Sequence, residues 1–181
     1  MQGTETPPAS STASATSAPG EEERLLRVYL EDHRAGASAG HSLAQRMLHN
    51  NEGNYLTETL RTLEREIGED KETLEQVASR LGLVMRQWKM ILGSVGESVA
   101  RLKVNGRLRQ YSPLSRLEEF EMLVAGITTK ESLWKTCERA LARRPEVADI
   151  DFAELARRAE RQVAALENHR QRIVEDAFLR S

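Results

Sequence analysis

The chain has 181 residues, of which 30% are charged, and its 26 basic and 28 acidic side chains leave a net charge of −2. This balance argues against the basic excess of a nucleic-acid-binding protein, and no apolar run approaches the roughly 18 residues of a membrane span. The single cysteine, Cys137, excludes an internal disulfide and is typical of a reducing compartment. We therefore expect a cytoplasmic protein with no transmembrane segment and no nucleic-acid partner.

The first 20 residues differ in composition from the rest of the chain. They are almost wholly Ser, Thr, Ala, Pro and Gly, and Glu5 is their only charged residue. Such a segment cannot bury enough apolar surface to offset the entropy lost on folding. We predict a disordered tail over residues 1–20 and a single helical-bundle domain over residues 21–181.

The first helix is predicted over about residues 21–49, because apolar residues recur there at helical spacing and three glutamates occupy the first turn. His33 interrupts its apolar stripe. Gly36 and Gly40 share a face and each cost about 1 kcal/mol of helix stability. We interpret them as a point of close approach to another helix.

The second helix is predicted over about residues 55–81, with Asn54 as N-cap and Gly82 just past its end. Its stripe of apolar residues is interrupted only by Asp70. A shorter helix is predicted over about residues 85–104.

Two further long helices follow. The first begins with Ser112 as N-cap and Pro113 in the first helical position, and Glu131 interrupts its stripe. The second begins at Asp149 or Asp151 and carries the pair His169 and Arg170 in its stripe. If Asp151 is the N-cap, Glu154 completes a pattern typical of a capping box.

No segment shows the alternation of a β-strand, so the chain is predicted to be all-α. The link between the first two long helices is short, as is the link between the last two, which predicts two antiparallel pairs. The longer segment between the pairs, with the short helix, then crosses from one end to the other. This pattern predicts a ferritin-like four-helix bundle with a short crossover helix.

Ionisable residues in the middle of buried stripes need polar partners, because burying them alone costs several kcal/mol. Carboxylates and imidazoles on facing helices also build the metal sites of di-iron bundle proteins. One hypothesis is therefore an iron or manganese site. Its candidate ligands are His33, Asp70, Glu131 and His169, with Glu66 and Glu167 as further candidates.

The alternative is a buried cluster of ion pairs that fixes helix register. The sequence favours it, because the Glu-x-x-His pairs that ferritin-like metal proteins place on one helix face are missing from this sequence. In this interpretation Asp70 and Glu131 face His33, His169 and Arg170.

Residues 98–117 contain several basic residues and no acidic one, and they end at a predicted helix N-terminus. Arginines, hydroxyls and free backbone N–H groups together suit an anion. The candidates for binding a small anion, an acidic lipid head group or a partner's acidic patch are Lys103, Arg107, Arg109, Ser112 and Arg116. Alternatively, this basic hinge docks on the acidic second helix or stays solvated.

A resemblance to a known family lies in three segments, YLEDHRAGASAG, RLKVNGRLRQYSPLSRLEEFEMLVAGITTKESLW and LENHRQR. They resemble parts of a bacterial family of helical-bundle proteins that has no established function. The resemblance covers residues 25–180, implies a ferritin-like fold, and carries no catalytic assignment.

We therefore expect a non-catalytic interaction or adaptor protein that binds a protein partner or associates with itself. The alternatives are a carboxylate–histidine metalloprotein and a module that binds anions or lipid head groups at a membrane surface.

Overall fold

The computed structural model describes residues 20–83 and 111–179, and the structural statements below concern these residues. The predicted tail, apart from Gly20, and the predicted short helix over 85–104 lie outside them.

The described residues form helices and short turns, with no strand among them. The all-α prediction is thus confirmed for this part of the chain. The elements are α1 (Glu21–Asn50), α2 (Thr57–Arg80), α3 (Pro113–Ala140), a 3-10 turn (Pro145–Val147), α4 (Phe152–Glu167) and α5 (Arg170–Phe178).

Several predicted helix ends are confirmed by their hydrogen bonds. The Ser112 hydroxyl accepts from the Ser115 backbone N–H at 3.1 Å, and the Asp151 carboxylate accepts from the Glu154 backbone N–H at 2.8 Å. Gly82 ends α2 with φ +65°, a conformation that favours glycine.

Two predicted helix ends are wrong. Asn54 does not cap α2, because its side chain accepts from the Leu56 backbone N–H at 2.8 Å within the preceding turn and the helix starts only at Thr57. The last long helix is broken into α4 and α5 at residues 168–169. There the His169 N–H donates to the Leu166 carbonyl at 2.8 Å, a tighter turn than an α-helix makes.

The helices pack side by side as a bundle in which neighbours are antiparallel. Arg34 pairs with Glu75 and His41 with Glu64, so positions advancing along α1 meet positions receding along α2. Helices α3 and α4 are also antiparallel, since Lys130 contacts Gln162 and Lys135 contacts Glu160. Helix α1 also packs against α3, and α2 against α4.

Buried apolar residues form two clusters at different heights along the bundle, which we name after their largest members. The Phe120 core comprises Ala44, Met47, Leu56, Leu60, Leu63, Ile67, Leu117, Phe120, Leu123, Ile127, Ala159, Leu166 and Ile173. The Trp134 core comprises Leu30, Leu74, Val77, Leu83, Leu133, Trp134, Cys137, Leu141, Val147, Phe152 and Ala156.

The close helix approach predicted at Gly36 and Gly40 is not found among the described residues. Gly36 is exposed, and a Cβ built on either glycine would meet no described atom within 4 Å. The reason is rotation of α1, which turns Leu30 and Ala44 inward instead. The tight position is Gly68 on α2, where a Cβ would lie 3.2 Å from the His41 ring nitrogen Nε2.

Candidate functional site

Charged and amide side chains meet inside the bundle between the two cores. We call this group the polar layer, and it consists of Glu66 and Asp70 from α2, Lys130 from α3, and Arg158 and Gln162 from α4. Asp70 and Gln162 are each only 2% exposed. Asp70 is therefore buried, as its place in the apolar stripe predicted.

Each oxygen of the Asp70 carboxylate has a cationic partner. Lys130 Nζ donates to Oδ2 at 2.5 Å, and the Arg158 guanidinium donates to Oδ1. Lys130 also donates to the Gln162 side-chain oxygen at 2.6 Å, and the Gln162 amide donates to Glu66 at 2.9 Å. The five side chains thus form a continuous network across three helices.

Burial and the neighbouring carboxylates have opposite effects on the pKa values of Lys130 and Arg158. Burial lowers the pKa of the Lys130 amine, and the Asp70 carboxylate works against that shift. Burial also disfavours the charged Arg158 guanidinium, but the hydrogen bond and charge of Asp70, together with the charges of Glu69 and Glu66, outweigh it and raise the pKa of Arg158. Asp70 therefore compensates both partly buried cations, and removing it would leave Lys130 without a carboxylate partner and Arg158 with Glu69 alone.

The structure does not bring the other predicted metal ligands to Asp70. The ring of His33 packs edge-on against Tyr29 with centroids 4.5 Å apart, and burial lowers its pKa. Glu131 accepts from Lys135 at 2.5 Å, because α3 is rotated so that Lys130 rather than Glu131 faces α2.

The remaining metal candidates have separate partners too. His169 Nε2 lies 2.9 Å from the Thr59 hydroxyl, and Glu167 accepts from Arg170 at 2.5 Å. Glu66 belongs to the polar layer. Within residues 20–83 and 111–179, no three His, Cys, Asp or Glu side chains are grouped so that they could hold a metal ion. The iron or manganese hypothesis therefore has no assembled ligand set there.

Sequence reasoning missed Lys130, Arg158 and Gln162. Lys130 follows Ile127 by three residues and precedes Trp134 by four, so its spacing fits the buried stripe as well as that of Glu131. The prediction that Glu131 lies in the buried stripe is wrong, because its basic neighbour Lys130 occupies that position. The need of buried Asp70 for a cation would have favoured Lys130.

The basic hinge is only partly described. Lys103, Arg107 and Arg109 lie outside the described residues. Ser112 acts as a helix cap. Arg116 is engaged within the protein, where its Nε donates to Asn51 Oδ1 at 2.8 Å and its guanidinium lies 3.4 Å from the Asp176 carboxylate.

Asn51 is the centre of a second buried cluster that the sequence did not reveal. It is 1% exposed, and its amide donates to both the Met47 carbonyl and the Tyr111 hydroxyl at 2.8 Å. Its side-chain oxygen accepts from Arg116 and Asn54. These bonds attach the start of α3 to the turn between α1 and α2.

Cys137 is a poor nucleophile in this setting. It is buried in the Trp134 core, and burial raises the pKa of its thiol to about 12. The reactive thiolate is therefore scarce at neutral pH.

None of the helices in the described ranges is long and apolar enough to cross a membrane. Comparisons with protein-family models, curated proteins and solved structures give no match to this chain. What can be inferred about function therefore depends on the geometry of the polar groups.

Proposed function

We propose that this chain is a non-catalytic interaction or adaptor protein of the cytoplasm, and that its polar layer fixes the register of the helices. Its partner is another protein or a second copy of the chain. We also propose that it belongs to a bacterial family of ferritin-like helical bundles, as the sequence resemblance implies.

The observation that carries the proposal is the complete internal pairing of Asp70. Both of its oxygens accept hydrogen bonds from cations of the same chain, Lys130 and Arg158. A metal ion bound to this carboxylate would lie beside the positive charges of Lys130 and Arg158, and their repulsion disfavours it. Such a layer suits a structural role better than a ligand site.

The ends of the helices support a ferritin-like arrangement. Leu83, just past α2, lies in the Trp134 core, whereas Leu117, near the start of α3, lies in the Phe120 core. Helices α2 and α3 therefore run in the same direction. The chain between them has to connect opposite ends of the bundle, as the long crossover of ferritin-like folds does.

Metal analysis distinguishes this proposal from its main alternative. The full chain, made without a histidine tag in medium supplemented with iron and manganese, is analysed by mass spectrometry for bound metal. We expect no stoichiometric metal in the protein or in the matched variant Asp70→Asn. Stoichiometric metal that disappears in Asp70→Asn would overturn the proposal in favour of a metalloprotein.

Site-specific photo-crosslinking in cells tests the interaction itself. A photoreactive amino acid is placed singly at the exposed positions Leu25, Leu114 and Phe178, which sample both ends of the bundle, and at exposed Glu72 on α2. We expect at least one position to give a reproducible adduct with a single protein, and the other positions serve as its controls. The absence of such an adduct at every position would count against an adaptor role.

A further inference from the structure

Helix α5 is a short element whose order depends on docking. It has nine residues, fewer than an isolated helix needs to persist in water. Ile173 is buried in the Phe120 core, and Val174 and Ala177 pack against the same core. The break at residues 168–169 separates α5 from α4, so α5 can detach without unfolding the longer helix.

His169 lies at this break and contacts the start of α2. Its Nε2 is 2.9 Å from the Thr59 hydroxyl of α2, and its ring packs against Tyr55 with centroids 5.8 Å apart. The Arg172 guanidinium stands 3.8 Å from the centre of the same tyrosine ring. A proton on His169 would therefore place a second positive charge close to Arg172.

The carboxylates around the break are already engaged with other groups. Glu167 of α4 pairs with Arg170, which also lies 3.7 Å from Glu121 of α3. On α5, Asp176 accepts from the Tyr55 hydroxyl at 3.0 Å and lies 3.4 Å from Arg116. On α2, Glu58 pairs with Arg61. A protonated His169 would have to compete with these partners for a counter-charge.

Burial lowers the pKa of His169 below its ordinary value of 6.5, and the charge of Arg172 lowers it further. The docked state therefore binds this proton less readily than the detached or unfolded chain does. The contribution of neutral His169 to docking is fully present above pH 6.5 and is lost progressively as the pH falls through the pKa of the docked state.

We propose that His169 makes the docking of α5 sensitive to acid, so that mild acidification releases α5 from the Phe120 core. The sensor is the imidazole at the break, and the responding element is the short helix that follows it. Release uncovers apolar surface of α3 while α1 to α4 stay folded.

Hydrogen–deuterium exchange followed by mass spectrometry tests this on the full chain at pH 7.5 and pH 5.5, with rates corrected for intrinsic exchange. We expect exchange in peptides covering α5 to rise severalfold at pH 5.5, whereas peptides from the middle of α2 do not change. In His169→Gln, which stays neutral, the rise should disappear. The matched control His33→Gln removes the half-buried imidazole of α1 and should keep it.

Either of two outcomes would overturn the proposal. One is α5 exchange that is the same at both pH values in the wild-type chain. The other is an acid response in His169→Gln as large as in the wild type, which would assign the effect to other groups. Circular dichroism of each variant at pH 7.5 confirms that the comparison is made between folded proteins.

Discussion

Asp70 is the residue on which the polar layer depends most. In Asp70→Asn the partly buried Lys130 and Arg158 lose the buried charge that they share, Arg158 keeps only Glu69, and the new amide would present a donor to one of the two cations. Breaking a buried ion pair on one side typically costs 3–5 kcal/mol. We therefore expect the free energy of unfolding, measured by urea denaturation, to fall by about 3–5 kcal/mol.

The control for this change is Glu72→Gln, which removes a charge from an exposed position two residues further along α2. Exposed substitutions of this kind usually change stability by less than about 0.5 kcal/mol. Equal effects of Asp70→Asn and Glu72→Gln would mean that the layer is solvated and contributes nothing specific.

A single position shows where sequence reasoning about the site stops. Asp70 is predictable as a buried charge because it stands alone in an apolar stripe. The partner of Asp70 cannot be predicted in the same way, because Lys130 and Glu131 both fit the spacing of buried residues in α3. The two residues are one step apart, which corresponds to about 100° of helix rotation. That rotation is set by the packing of α3 against α1 and α4, which no local pattern encodes.

Helix ends, by contrast, are decided within a few residues, and the cap of α3 can be tested directly. Ser112→Ala removes the oxygen that accepts from the Ser115 N–H and also the hydroxyl contact with the Ser115 side chain at 2.9 Å. An N-cap of this type contributes about 1 kcal/mol. We expect a loss of that size in urea denaturation, and recovery of most of it in Ser112→Asp, which restores an acceptor.

The glycines of α1, α2 and α3 provide a test of helix rotation. Gly36 and Gly126 are exposed, and no described atom lies within 4 Å of an added Cβ, so alanine should stabilise each helix by about 0.5–1 kcal/mol. At Gly68 the same methyl group would press on His41, which itself lies 2.9 Å from Glu64.

We therefore expect Gly68→Ala to gain clearly less stability than Gly126→Ala, as measured by thermal or urea unfolding. A loss of stability in Gly36→Ala would instead support the close helix approach that the sequence suggested for α1.

At the scale of the whole molecule, local signals predict which of the described segments are helical and where most of these helices begin. Ser112 and Asp151 are capping residues, and Gly82 supplies the positive φ that ends α2. The break at residues 168–169 has only a weak signal, because Asn168 ends α4 there and neither glycine nor proline is present. It accompanies the docking of His169 on Thr59, a contact 110 residues apart in the chain.

The two cores raise the question of what the polar layer between them contributes to the molecule as a whole. Replacing a buried charge network with apolar side chains of similar size is often neutral or stabilising by about 1–4 kcal/mol. We therefore expect the variant Glu66→Met/Asp70→Leu/Lys130→Met/Arg158→Met/Gln162→Leu to unfold at an equal or higher urea concentration than the wild-type chain. A charge layer that fixes register acts instead on the uniqueness of the folded state.

Uniqueness is measured by the number of backbone amide signals in a two-dimensional NMR spectrum. In the wild type each residue other than proline should give one signal, since any shift of α2 past α3 or α4 would separate Asp70 from Lys130 and Arg158. Without the charges, Leu- and Ala-rich stripes can slide by a helical turn at little cost, because the same kinds of side chain meet again. We expect doubled or broadened signals in the apolar variant. A single sharp set at unchanged positions would show that packing of the two cores alone determines the register.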